Sequence, residues 1–151
     1  MPPASGNRSF EALTFALSGE IFAVDAYMVR EILDIIPVTE VPGAQDFVPG
    51  LINVRGRVVP LADLRVKFGM EVAAISPDTR IVVVEMELFG EATIVGLLAD
   101  KVYEVAELTE AAIEDPPAIG MKWRPDFIKG VGKHGNDFIF IPAIEHIFAA
   151  G

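Results

Sequence analysis

The groups in these 151 residues that could do chemistry are few, and each has an ordinary alternative role. Gly130-x-Gly132-x-x-Gly135 spells the dinucleotide-binding pattern, in which glycines bring backbone close to a pyrophosphate at a helix N-terminus. The context is wrong for that use. The glycines run into Phe138-Ile139-Phe140-Ile141, a strand-like run, and the acidic residue expected about 20 positions on would fall beyond Gly151. Turn and packing glycines are the better reading. His134 and His146 sit at a predicted hairpin tip and in the last predicted helix, with only Glu145 near at ligand spacing, so they read as surface histidines. Glu85 and Glu87 alternate on one strand face, where two carboxylates could serve acid/base work or hold a cation. The wet face of a half-buried strand is the commoner outcome for such a pair. No residue pairs a nucleophile with a base, and there is no cysteine, so the sequence predicts no enzyme, no cofactor and no metal site.

Charge points instead to recognition. Twelve Lys and Arg against 22 Asp and Glu leave a net charge of −10, which repels nucleic-acid phosphates and anionic lipid and excludes nucleic acid as a natural partner. Against that background Arg55 and Arg57 bracket a predicted hairpin turn and project two guanidinium groups from a rigid base. They serve either as structural partners for some of the 22 acids or as a recognition element, and both readings stay open. Glu31, between Val29 and Ile32, reads as a solvent-face carboxylate at the rim of an apolar contact. The chain is 52% hydrophobic, with a mean hydropathy of +0.43, rich enough to build a core and leave apolar surface for partners. No apolar run approaches the roughly 18 residues that span a bilayer, and the N-terminus lacks a signal-like apolar stretch, so the expectation is a cytoplasmic protein without membrane insertion.

The elements that must position these residues come in two copies. Leu13 to Leu17 and Ile21 to Val24 form a predicted hairpin about Ser18-Gly19-Glu20, followed by Val29-Arg30-Glu31-Ile32. After a Pro-punctuated connection, Phe47 to Phe68 reads as two short strands folded at Arg55-Gly56-Arg57 and a helical turn capped by Asp63. The order then returns: a turn at Phe89-Gly90-Glu91, Val102-Tyr103-Glu104-Val105, and an ungapped echo of Phe47–Phe68 as Phe127–Phe148. Internal repetition of short strands without βαβ alternation predicts a mainly-β fold of two similar small β-barrels with one short helix each. The expected boundaries are a flexible tail over 1–12, a first barrel over about 13–69 and a second over about 78–149, with exchange of terminal segments between them left open.

The run VPGLINVRGRVVPLADLRVKFG, with FAVDAYMVREIL before it and the FIKGVGK hairpin after it, closely resembles the CheW family of chemotaxis coupling proteins. The resemblance covers the chain from about Leu13 to Phe148. It implies two five-stranded SH3-like β-barrels and a non-enzymatic adaptor of two-component signal transduction. Such an adaptor bridges the cytoplasmic tips of transmembrane chemoreceptors to the regulatory domain of the histidine kinase CheA, at membrane-associated receptor arrays. Carried over position by position, the receptor-binding residues it implies are Val29, Glu31, Arg55 and Val83. A pathway with another output, such as surface motility, fits the same resemblance, and a small ligand-binding barrel using Glu85 and Glu87 is the reading from another class. In one departure from the family pattern, Pro142-Ala143 stand where the first copy has Asp63, predicting a poorly capped last helix.

Overall fold

The computed structural model describes residues 8–117 and 125–150. The elements run β1 (Ser9–Leu17), β2 (Glu20–Asp25), β3 (Val29–Leu33), β4 (Gly50–Val54), β5 (Arg57–Ala62), α1 (Leu64–Lys67), β6 (Arg80–Leu88), β7 (Glu91–Ala99), β8 (Lys101–Thr109), β9 (Ile128–His134), β10 (Asp137–Pro142) and α2 (Ile144–Ala150). Five strands and a helix thus occur twice, and the fold is mainly β as the repeat predicts. The last helix forms without an acidic cap: α2 spans seven residues, and Ile147 N donates to Ala143 O at 2.9 Å.

Repeats and sheets do not coincide. One sheet has the order β8-β1-β2-β10-β9 and the other β3-β6-β7-β5-β4, so each repeat gives its first two strands to one sheet and its last three to the other. Residues 13–69 and 78–149 therefore each build parts of both sheets, and the exchange goes far beyond a terminal segment. The physical cause is local. Asp25 accepts from Tyr27 N and caps a single 3-10 turn over Ala26–Met28, which ends β2 and sends β3 out of its sheet. The repeats are then stitched by short parallel pairings, Ile139↔Ile21 and Phe140↔Phe22 in one sheet, Leu61↔Gly96 and Ala62↔Leu97 in the other.

Each sheet closes on itself through one bridge just beyond an edge strand, β3 in one sheet and β8 in the other. After β3, Thr39 pairs with Leu51 of β4 through N–O contacts of 2.9 and 2.8 Å; after β8, Glu114 pairs with Val131 of β9 at 2.9 and 2.8 Å. Closure hides edges that would otherwise template aggregation. The matched glycines sit at these seams. A Cβ on Gly50 would lie 2.8 Å from the Thr39 carbonyl carbon and closer still to its oxygen, and one on Gly130 would lie 2.5 Å from Ile113 Cγ2. At Gly132 the nearest atom would be an ordinary 3.6 Å away. Gly50→Ala is therefore expected to cost about 1–3 kcal/mol by forcing backbone apart, and Gly132→Ala much less. Paired urea titrations would show the ranking.

Three apolar clusters follow from strand alternation. In β6, Ile81 and Val83 point into the barrel with Ile52, Val59 and Leu61, while Val82, Val84 and Met86 join the layer between the sheets. Such a strand is buried on both faces, which is why Ile81–Val84 is an unbroken apolar run. The layer between the sheets carries the phenylalanines that end each copy of the repeated hairpin. They meet crosswise: Phe47 packs edge-on to Phe148 at 5.4 Å, and Phe68 to Phe127 at 6.3 Å. Lys67 Nζ sits 4.8 Å and 5.1 Å from the Phe47 and Phe127 rings, a cation shared between the two copies.

Two charged side chains, Asp63 and Arg65, are also buried among the described residues. Arg65, 3% exposed, lies between Asp63 and Asp100: Nε and Nη2 donate to the two Asp63 carboxylate oxygens at 2.9 Å, and Nη1 donates to Asp100 Oδ1 at 2.6 Å and to Ala73 O at 3.2 Å. Asp100 in turn accepts from Ser18 N at 2.7 Å through Oδ2. One guanidinium thus ties α1, the connection between the repeats, and the turns after β1 and β7.

Candidate functional site

The β4–β5 turn is built to hold Arg55 outward. Arg55 and Gly56 have φ of 52° and 83°, the left-handed pair of a two-residue hairpin turn, and Gly56 N donates to Asn53 Oδ1 at 2.8 Å. The Arg55 fork then closes on Glu31 of β3: Nε donates to Oε2 at 3.1 Å and Nη2 to Oε1 at 3.2 Å. The Glu31 hydrogen bonds, and secondarily its charge, raise the Arg55 guanidinium above its ordinary pKa. The pair is lopsided. The Arg55 side chain is 79% exposed and that of Glu31 23%, so the carboxylate acts as a fixed post and the guanidinium keeps free donors toward solvent.

The other expected site residues part company. A bulge at Arg30 separates Val29, paired with Val84, from Glu31, paired with Val83. Val29 consequently packs on the layer between the sheets, while Glu31 faces the mouth of the barrel. Val83 is 2% exposed, with its side chain in the barrel core, so it forms the floor beneath Glu31 and offers a partner almost no area. Glu31, Arg55 and Val83 line one open depression of about 230 Å³ with Arg30, Val54 and Val59. Val29 lies outside it.

Arg57, read from the sequence with Arg55 as a cation of this turn, faces the same depression, and Arg30, which the sequence did not mark out, reaches from it to Glu85 of β6 in a close ion pair. On the Glu85 and Glu87 face, Glu85 is paired with Arg30 and Glu87 is exposed on a strand. The second repeat keeps a weaker version of the site. Glu104, in the Val-x-Glu copy, lies 4.0 Å from His134 at the end of β9; Gly135 stands where the first repeat has Arg55, and His134, one position before it, matches Val54. His146 is 3.4 Å from Asp126.

Chemically this arrangement is suited to recognition. It has a rigid cation beside a shallow depression with an apolar floor, and no bond-making constellation is assembled there. Among the described residues no group of three or more His, Cys, Asp or Glu could hold a metal ion.

Comparison with known proteins identifies the family. A family model described as a CheW-like domain matches residues 11–151. The chain is 31% identical over 140 residues to "Chemotaxis protein CheW" of Klebsiella aerogenes, covering 93% of this chain and 82% of that protein. It is 30% identical over 126 residues to "Protein PilI" of Pseudomonas aeruginosa, covering 82% of this chain and 67% of that one. The crystal structure of scaffolding protein TtCheW from Thermoanaerobacter tengcongensis superposes with a TM-score of 0.83 at 30% identity, over 93% of this chain and 88% of that one.

Proposed function

The chain belongs to the CheW family, and from that premise we propose that it is a chemotaxis coupling adaptor that bridges the cytoplasmic tips of chemoreceptors to the regulatory domain of the histidine kinase CheA. The observation that carries the receptor side is the Arg55 guanidinium, held out from a rigid turn by the two hydrogen bonds to Glu31. Glu31 and Arg55 bind the receptor tip, Val83 supports them from below, and Val29 contributes from the layer between the sheets. Coupling then requires no chemistry. The receptor lays an apolar helix face along the surface while charged residues set its register, and receptor state biases how adaptor and kinase are held together. No described helix is long and apolar enough to cross a membrane. The adaptor works on the cytoplasmic side, at receptor arrays, through its partners.

Affinity purification of the chain from its own cells tests the reading: chemoreceptors and a CheA kinase are expected to co-purify, and their absence would sink it. A second reading is a coupling protein of a related two-component pathway with another output such as surface motility; what favours it is that one relative, Protein PilI, does not bear a chemotaxis name. The identity of the recovered kinase separates the two.

A further inference from the structure

The two most exposed large apolar side chains among the described residues are Tyr27, at 83%, and Phe89, at 82%. Neither is an accident of a loose loop. Tyr27 is fixed in the 3-10 turn that Asp25 caps, with Met28 beside it packed on the layer between the sheets. Phe89 holds the first central position of the β6–β7 turn at φ 53°, with Gly90 at 81°. That position favours Asn, Asp or Gly, and a bulky aromatic there is a backbone outlier. The chain thus accepts both backbone strain and a solvated aromatic ring at one tip, a combination that points to a covering partner.

The placement says which partner. β7 starts beside Leu88, where β6 ends, and β5 runs parallel to β7 with Leu61 opposite Gly96. The Arg55-Gly56-Arg57 turn and the Phe89-Gly90 turn therefore lie at the same end of this barrel. Between the Arg55 depression and Tyr27 stands the Arg30–Glu85 pair, and Glu85 also lines an open hollow of about 300 Å³ with Tyr27, Met28, Met86, Glu87 and Ala92. The two depressions share that ion pair as a common wall. The surface is also polar in the electrical sense: Arg55 and Arg57 at one side, Glu87, Glu91 and, from α2, Glu145 at the other, all exposed.

We infer that the receptor-binding surface continues from Arg55 across the Arg30–Glu85 pair to Tyr27 and Phe89. Its occupant is an amphipathic helix of the receptor tip with an apolar face over Tyr27 and Phe89, an acidic residue toward Arg55 and Arg57, and a basic residue toward Glu87 and Glu91. The inference rests on the coupling function proposed above and deepens it by adding specificity-determining contacts.

The test uses the full chain, a purified cytoplasmic fragment of a chemoreceptor from the same organism and the kinase regulatory domain, with calorimetric binding and urea unfolding for each variant. Phe89→Asn is expected to raise the unfolding midpoint, because Asn suits the turn, and to weaken receptor-fragment binding by about tenfold. Tyr27→Ser is expected to weaken the same binding without changing the affinity for the kinase domain. A role in turn stability alone would lower the midpoint and spare binding. If Arg55→Glu weakens receptor binding but Phe89→Asn and Tyr27→Ser do not, the extension is wrong and the Arg55 site stands. If the aromatic variants change only kinase-domain binding or association between copies of this chain, the receptor is the wrong occupant. If none of the three variants alters receptor binding, or the parent does not bind the fragment, the site reading falls together with the extension.

Discussion

Arg65→Met is expected to lower stability by about 3–5 kcal/mol, because it strips the counter-charge from a carboxylate that stays buried. Asp63 is 7% exposed and has both carboxylate oxygens committed to Arg65, so without the guanidinium it is left charged and dry. The methionine introduced by Arg65→Met would fill the space, and the loss is electrostatic. Adding Asp63→Asn removes that orphaned charge and keeps a good N-cap, so the double variant is expected to recover part of the loss. Asp100→Asn should cost less than Arg65→Met, since the Asp100 side chain is 22% exposed and water can replace part of what it loses. Arg65→Lys is not a neutral change, because an ammonium cannot span Asp63, Asp100 and Ala73 O together. Hydrogen bonding to the Asp63 carboxylate, which accepts from the guanidinium, is first among the causes that raise the Arg65 pKa. A base with a raised pKa contributes its full stabilisation below its unfolded-state value, so the gap between the parent and Arg65→Met should persist unchanged from neutral to about pH 10. Urea titrations of the five proteins at two pH values would check every step. A loss for Arg65→Met within about 0.5 kcal/mol of zero, the range of ordinary surface changes, would refute the structural role.

Arg65 also shows where the sequence stops being readable. Asp63 is legible as a cap, since an Asp before Leu64 at the start of a short apolar-patterned turn is a local signal. Arg65 looks like one more solvated base in a helix, and its burial depends on Asp100, 35 positions away in the other repeat. The same division runs through the fold. The duplication is legible because turn residues, the Val-x-Glu segments and the terminal phenylalanines recur in order. The exchange of strands between the sheets is not, because it hinges on a three-residue turn at Ala26–Met28 and on parallel pairings of two residues each. Gly50 and Gly130 could be matched as letters, but only the structure shows that a side chain would meet the bridge backbone at Thr39 in the first copy and the Ile113 side chain, next to the bridge, in the second.

At the candidate site, local pattern misleads where a bulge intervenes. Val29 and Glu31 stand two apart in a strand and would share a face in regular pleating. The extra residue, Arg30, turns them to opposite sides, and the same irregularity frees Arg30 to reach Glu85. Val83 reads like any strand valine and proves to be floor, not rim. The repeat itself was informative for the rest. Comparing the copies leaves Arg55 and Arg57 as cations that Gly135 and Asp137 replace in the second copy, and the structure adds that His134 stands only 4.0 Å from Glu104, without the paired hydrogen bonds that join Arg55 to Glu31.

Whether Arg55 serves the fold or the partner can be decided by inverting its pair with Glu31. Arg55→Glu alone leaves two carboxylates facing each other at an exposed turn, which should cost the fold no more than about 0.5 kcal/mol. Its binding to a chemoreceptor fragment should weaken by about tenfold or more, since a like charge now meets whatever acid the guanidinium engaged. Glu31→Lys alone should weaken binding as well, by releasing Arg55 from its post and adding a competing cation behind it. The swap Glu31→Arg with Arg55→Glu is the informative protein. It restores an internal ion pair across the same two strands while presenting the wrong sign to solvent. If the pair only braces the β3 bulge against the β4–β5 turn, the swap should return binding to the parental value. If Arg55 itself contacts the partner, the swap should fold like the parent and bind as poorly as Arg55→Glu. Arg55→Lys is expected to fall between them, because it keeps the charge but loses the fork that both holds Glu31 and leaves donors free. Receptor-dependent kinase activity, measured beside direct binding, should fall in the same order for the four variants, because an adaptor that does no chemistry can affect the kinase only through what it holds.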